Sequence, residues 1–397
     1  MTEKPRVAIL GAGPTGLEAA LAAADGGFPF TVYEASPGVA GNVRAWGHVR
    51  LFTPWEMNVS PRMRRHLAAE APDGADCPTG RELAERLFEP LAGLQAISPH
   101  LRLGTRVLSI GREGLLKHEE ISTPARACHP FRLLFADDTG REWTEMADIV
   151  IDATGTWGNP NTLGDGGIPA PGERPLGSEI RRDIPDFARE EADWAGKAVL
   201  LAGAGHSAQT AARELARLAQ EAPGTKVIWL LRNPEPSWGT HPGDPLPERA
   251  GLAAAAASLV AGASLAVDVR RGGVVEEIAK PNGRFRVVLR NGQGSETVEV
   301  DRVLSLTGAV GDHDLYRQLQ VHECYATCGP IKLSAALLGA GSSDCLTQTT
   351  HGANTLTNPE PNFFILGSKS YGRNNTFLMR VGWEQVGEVF GLLDSGQ

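Results

Sequence analysis

Cys345 and His351 stand six positions apart in the polar stretch Cys345-Leu346-Thr347-Gln348-Thr349-Thr350-His351-Gly352. A thiol beside an imidazole ionises readily and attacks sulfur. Two glycine-rich runs point to a different chemistry, the holding of phosphate. In Gly11-Ala12-Gly13-Pro14-Thr15-Gly16, Gly11 permits a tight turn, Gly13 lets backbone approach a pyrophosphate and Gly16 lets a helix pack closely on a strand. The second run, Gly203-Ala204-Gly205-His206-Ser207-Ala208, keeps the first two glycines and puts Ala208 in the third place, which the pattern tolerates.

The elements around each run decide its meaning. An apolar run over 7–10 predicts a strand, the Ala-rich segment after the glycines predicts a helix to about residue 24, and a second β-run over 30–33 ends in Glu34, 23 positions beyond Gly11. Strand, glycine turn, helix and delayed acid are the parts of a dinucleotide fingerprint: the helix N-terminus faces the phosphates and Glu34 accepts hydrogen bonds from ribose hydroxyls. The plain alternative is an ordinary turn between strand and helix. Around the second run, 198–201 predicts a strand, a helix follows to about residue 218, and the strand over 227–231 ends in Arg232 and Asn233. A cation where an acid would bind a 2′-hydroxyl predicts a 2′-phosphate, hence NADP rather than NAD. Otherwise Arg232 is a solvated strand end.

Two further segments, 147–155 and 300–308, share an acidic start, an apolar strand and a Thr-Gly end. Each follows hairpin signals, at 131–140 and at 285–292. The expected fold is therefore α/β, with two Rossmann-like dinucleotide-binding domains, the NADP domain inserted into the other. The expected boundaries are 1–160, 161–308 and a return over 309–397, the last supplying a strand near 362–366 and a helix near 376–393.

Composition narrows the class. With 397 residues the chain is long enough for two or three domains. Hydrophobic residues at 42% and charged residues at 21% are globular values, and glycine (47) with proline (27) stays below the ~25–30% that signals disorder. A net charge of -9 supplies no basic surface for nucleic acid or an anionic bilayer, so the expected partner is a small-molecule substrate, with no nucleic acid and no membrane. Five cysteines, sparse and odd in number, together with a β-run that starts almost at the first residue, predict a cytoplasmic protein without a leader. The weakly apolar stretch 251–269 reads as a buried helix and its following strand.

Taken together, the first fingerprint with Glu34, Ala153-Thr154-Gly155 with Pro160 soon after, the second fingerprint and the closing strand-glycine-helix resemble the two-dinucleotide-binding flavoproteins, which include flavin-containing monooxygenases and thioredoxin reductases. The resemblance implies FAD at the first site and NADPH at the second. It places Gly11, Gly13, Pro14, Thr15, Gly16 and Glu34 on the ADP half of FAD, Val107 at the adenine, Ala153, Thr154 and Gly155 alongside, and Asn42 and Val43 near ribityl and flavin. Gly203, Gly205, His206, Ser207, Ala208 and Arg232 would hold NADPH. Near the flavin it places Gly367, Ser368 and Phe377, with Ser368 standing where the family usually has an acid. The implied activity is an FAD-dependent, NADPH-consuming oxidoreductase of the flavin-monooxygenase type, acting on a small soft nucleophile. The monooxygenases' Phe-Gly-His signature has no histidine in the corresponding stretch 177–187, and the thioredoxin reductases' Cys-x-x-Cys has no counterpart in 161–308. Two alternatives therefore stay open: a thiol, disulfide or metalloid oxidoreductase relaying electrons through Cys345, and a non-catalytic flavin redox sensor.

The tail has a looser likeness to uncharacterised flavoproteins associated with arsenic-resistance genes, carried by 345–352 and by 367–378. Cys345 and His351 are its candidate catalytic pair. Cys324 and Cys328 either pack one face of a helix or join Cys345 and His351 in a zinc set, although the spacing lacks close paired ligands; no metal is expected. Lys369, Tyr371 and Arg373 are candidates to stabilise charge on reduced flavin. Trp46, Arg50 and Trp55 are candidates for the flavin pocket or for plain packing.

Overall fold

The computed structural model of the chain describes residues 4–240, 243–340 and 344–395. The chain divides into two compact units, one made of the residues up to Asn159 and from Val310 onward, the other of Pro160–Ala309.

The first unit opens with β1 (Val7–Leu10), α1 (Pro14–Asp25) and β2 (Phe30–Tyr33). All four β1 residues are buried, as a strand covered on both faces requires. Pro14 starts α1 where its missing N–H costs nothing. The first unit continues with β3 (Leu101–Arg102), the antiparallel strands β4 (Arg106–Arg112), β5 (Phe131–Ala136) and β6 (Glu142–Ala147), and β7 (Ile149–Asp152).

The inserted unit holds β8 (Ala198–Ala202), α2 (His206–Glu221), β9 (Lys226–Leu231), α3 (Pro247–Val260), β10 (Val267–Arg271), a three-stranded antiparallel sheet of β11 (Val274–Ala279), β12 (Phe285–Asn291) and β13 (Gly294–Val300), and β14 (Arg302–Ser305). Its parallel sheet has the order β10-β9-β8-β14. Stretch 251–269 is thus the body of α3 and the start of β10. Among the described residues no helix is long and apolar enough to cross a membrane.

The returning chain forms a small hairpin, β15 (Glu323–Cys324) with β16 (Gly329–Pro330), then α4 (Ile331–Ala340), β17 (Phe363–Ile365) and α5 (Met379–Ser395). Cys324 and Cys328 therefore belong to a hairpin and its turn rather than to a helix face, because the chain reverses at Cys328, whose φ is 56°. Strand β17 completes a parallel sheet of order β17-β7-β1-β2-β3. Helix α5 packs on α1, with Phe390 meeting Phe28 edge to face at 5.7 Å. Each unit is a Rossmann-like α/β fold, and the second is inserted into the first.

Candidate active site

In the first sheet the strand order reverses between β1 and β7, and ligands of such sheets bind outside the carboxyl ends of the strands at that switch. A cleft lies at this place. Its lining includes Gly11, Gly13, Pro14 and Thr15 after β1, Glu34 after β2, Ala153–Gly155 (residues 153–155) after β7, and Gly367 and Ser368 after β17. Asn42 and Val43, on the short helix Gly41–Ala45, and Phe377 also line it.

The turn is built as the spacing requires. Gly11 has φ +98°, and a Cβ there would sit 2.7 Å from the Ala153 carbonyl oxygen. Gly16 does not line the cleft; a Cβ on it would fall on the Gly11 carbonyl, so it serves helix-to-strand packing. Gly13 opens onto empty space and caps α1 without a side-chain hydrogen bond. Two other helices of the same unit carry side-chain caps, with Ser60 Oγ accepting from Met63 N–H and Thr79 forming a capping box with Glu82, whereas the short helices Gly41–Ala45, Trp55–Asn58 and Glu89–Gly93 carry none. An uncapped helix start facing a cleft leaves N–H groups for an anion.

Glu34 holds the turn as well as lining the cleft. Its Oε2 accepts from Ala12 N–H at 2.7 Å and its Oε1 from Ser36 N–H at 2.8 Å. Two of about four lone-pair positions remain for hydroxyl donors.

Beneath the cleft lies a buried ion pair that the sequence alone does not pair up. Lys369 Nζ is 2.6 Å from Asp152 Oδ2, with both side chains 0% exposed. It also reaches Thr154 Oγ1 at 3.2 Å and lies 5.0 Å above the Tyr316 ring. Asp152 Oδ1 accepts from the N–H and hydroxyl of Thr154, so the pair fixes the Thr154–Gly155 corner of the lining. Tyr316 donates to Glu323, which His313 also meets at 3.0 Å. Burial, then the bond to Glu323, pushes the Tyr316 phenol far above its ordinary range. Lys369, a candidate to stabilise charge on reduced flavin, is paired with Asp152. Tyr371 is buried, and Arg373 is exposed.

Several other expected residues lie elsewhere. Val107 is outside the cleft lining; it pairs with Phe135 in the antiparallel sheet and packs against the core around Tyr33 and Phe131. Cys345 and His351 are also outside the lining. Cys345 is buried in a 3₁₀ turn, Cys345–Thr347, where Asp344 accepts from Leu346 N–H. Nε2 of His351 is buried without a hydrogen-bond partner. Arg50 and Trp55 do not line the cleft, whereas Trp46 does. Among the described residues no cluster of His, Cys, Asp or Glu is arranged to hold a metal. Thr156, Trp157 and Met379 line the cleft without having been singled out; Thr156 and Trp157 follow the Thr-Gly end directly, and that adjacency was the available signal.

In the inserted unit the switch falls between β8 and β14. Gly203 has φ +130°, a Cβ on it would fall on the Leu306 carbonyl, and Gly205 starts α2 in open space without a side-chain cap. Trp229 Nε1 donates to the Gly203 carbonyl at 2.9 Å, holding the turn from β9. His206 and the exposed Ser207 begin α2, and Ala208 is buried against the turn. Arg232 is exposed at the end of β9.

Residues 5–324 match the family described as "Pyridine nucleotide-disulphide oxidoreductase". The chain belongs to this family. Pyridine nucleotide-disulphide oxidoreductases and related flavoproteins of known structure share its fold. Bacillithiol disulfide reductase from Bacillus cereus superposes with a TM-score of 0.71 at 19% identity, over 100% of both chains. Thioredoxin reductase from T. acidophilum gives 0.60 at 17% identity, over 99% of both. The FAD-bound cadaverine monooxygenase of desferrioxamine biosynthesis from Erwinia amylovora gives 0.66 at 12% identity, over 100% of this chain and 95% of the other. No curated protein matches the chain in sequence.

Proposed function

We propose that this member of the family is an FAD-dependent, NADPH-consuming oxidoreductase that delivers electrons to a small disulfide. The observation that carries the reading is the cleft at the β1/β7 switch, where an uncapped helix start, the open face of Gly13 and the Glu34 carboxylate converge. Those three features match a pyrophosphate and the adjoining ribose. In this reading the amides after Gly13 hold the pyrophosphate and Glu34 takes the ribose hydroxyls with its remaining lone pairs. Asn42, Val43, Thr154, Gly155, Gly367 and Ser368 flank the flavin end, with Ser368 as a neutral hydroxyl partner for ribityl. Trp46, Phe377 and Met379 exclude water there. At the second turn Gly205 and Ser207 meet the pyrophosphate of NADPH and Arg232 its 2′-phosphate. Bound flavin supplies hydride acceptance from the nicotinamide and onward electron transfer.

The family's disulfide chemistry and the bacillithiol disulfide reductase fold support a disulfide as acceptor. A second reading, oxygenation of a small soft nucleophile, is favoured by the aromatic lining of Trp46 and Phe377, since oxygen activation demands a dry pocket. NADPH consumption by the yellow holoprotein, followed anaerobically with a small disulfide and aerobically without one, separates the two. Disulfide-dependent anaerobic turnover is the expected result; turnover that needs oxygen replaces it with the second reading. Negligible turnover with every acceptor leaves the sensor. Cys345→Ser tests the relay: full activity removes that thiol from the path. A protein that stays colourless when FAD is supplied overturns the whole assignment.

A further inference from the structure

The 323–330 hairpin carries two thiols outside the cleft, Cys324 and Cys328, both half-buried and both free. Their backbones are tied together. Cys324 pairs with Gly329 across the ladder, and Cys328 N–H donates to the Cys324 carbonyl at 2.8 Å. Such an i→i+4 closure spaces Cα atoms by about 6 Å, within the ~4.4–6.8 Å that a disulfide spans.

Cys328 also occupies a left-handed conformation, φ 56°, which disfavours any residue with a Cβ. Glycine would hold the turn at less cost, so the backbone does not call for a cysteine there. The turn is pressed in place: a Cβ on Gly372 would collide with the Thr327 carbonyl and Cys328, and Arg373 N–H donates to Thr327 O at 2.7 Å. Around the Cys324 sulfur stand the Thr327 hydroxyl, the Thr327 N–H and the Ala326 N–H, which hold the thiol below its ordinary range. The neighbouring Tyr325 is almost wholly exposed, at 94%, so a small molecule can reach the turn.

We propose that Cys324 and Cys328 form a thiol–disulfide exchange site on this hairpin, which takes low-molecular-weight disulfides and closes to an internal disulfide. Cys324 is the attacking thiol: its sulfur bonds to one sulfur of the small disulfide, the old S–S bond breaks, and the departing thiolate takes up the proton that Cys324 released. Cys328 then attacks the Cys324 sulfur, the mixed disulfide breaks, and the second thiolate leaves with the Cys328 proton. The small disulfide gains two electrons and becomes two thiols; the cysteine pair loses two and becomes one S–S bond. No flavin or nucleotide takes part.

The test uses reduced holoprotein, oxidised glutathione as probe and no NADPH, so that its outcome is independent of flavin reduction. After timed reaction the remaining thiols are alkylated with N-ethylmaleimide and the tryptic peptide 318–332, which contains both cysteines, is weighed. The expected result is a peptide lighter by two hydrogens that takes no label, formed before Cys77 and Cys128 react. Cys328→Ser should accumulate a glutathione adduct at Cys324, and Cys324→Ser should slow thiol loss from this peptide about tenfold or more. A wild-type peptide that keeps two labels after Cys77 and Cys128 have reacted overturns the proposal, as does a Cys328→Ser protein with no adduct at Cys324.

Discussion

The two glycine turns are copies in backbone and opposites in side chains. Both start with a positive-φ glycine whose missing Cβ makes room for a carbonyl of the neighbouring strand end, Ala153 in one and Leu306 in the other. Both follow with an open glycine and an uncapped helix. They then part. After β2 stands Glu34, bonded to the turn; after β9 stands the exposed Arg232. At the end of β7, Asp152 is buried against Lys369; at the matching end of β14 stands the neutral Ser305, 3.4 Å from Thr307 Oγ1 and 3.5 Å from Arg182 Nη1. The open turn is thus a property of backbone geometry that two sequences can share. In the proposed reading, selectivity between nucleotides rests on the residues at the strand ends.

Breaking the Lys369–Asp152 pair should have the largest effect. Lys369→Met strands a buried carboxylate, a loss of about 3–5 kcal/mol, whereas Ser305→Ala at the matching position should cost about 1 kcal/mol; chemical denaturation of both variants measures the contrast. Equal losses would mean that the ion pair adds nothing to the first unit. Next comes the third place of each turn. Gly16→Ala drives a methyl onto the Gly11 carbonyl and should cost about 1–3 kcal/mol with loss of bound flavin. Ala208→Gly should cost only about 1 kcal/mol, the ordinary penalty of glycine in a helix.

Arg232→Ala should weaken NADPH at least about tenfold, or about 1.4 kcal/mol, while leaving NADH nearly unchanged. Titrating both nucleotides checks this, and an equal loss for both removes the 2′-phosphate role.

The smallest effect concerns pH. Burial pushes the Glu323 carboxyl up, but the bonds from His313 and Tyr316 outweigh it and hold the group below its ordinary 4.5. A depressed carboxyl contributes stability that is present above the unfolded value and lost as pH falls through the lower folded value. The difference in melting temperature between wild type and Glu323→Gln should therefore be full near neutrality and shrink below pH 4.5.

Both turns were legible in the sequence because their determinants are local: strand, glycines and helix lie within about thirty residues, and each strand-end residue closes the next β-run. Asp152 and Lys369, 217 positions apart, carry no such local signal. The same holds for Glu360, which pairs in the core with both Arg112 and Arg126. Val107 is tied to the adenine by resemblance alone, and in the structure it pairs with Phe135 and packs against the core around Tyr33. Cys345 and His351 share a polar stretch, but nearness in sequence did not bring either to the cleft lining. A spacing of four between Cys324 and Cys328 suits one helical face as well as a tight reversal, and the left-handed backbone at Cys328 makes it a reversal.

The return of the chain also sets an order of events at the ribosome. Residues Pro160–Ala309 form one uninterrupted unit, whereas the first unit lacks strand β17, helix α5 and the Gly367 and Ser368 side of its cleft until the final stretch has been made. During synthesis the middle of the polypeptide can reach its native state while the beginning waits, so a premature stop codon near residue 360 would spare the inserted unit and leave β7 without its edge partner.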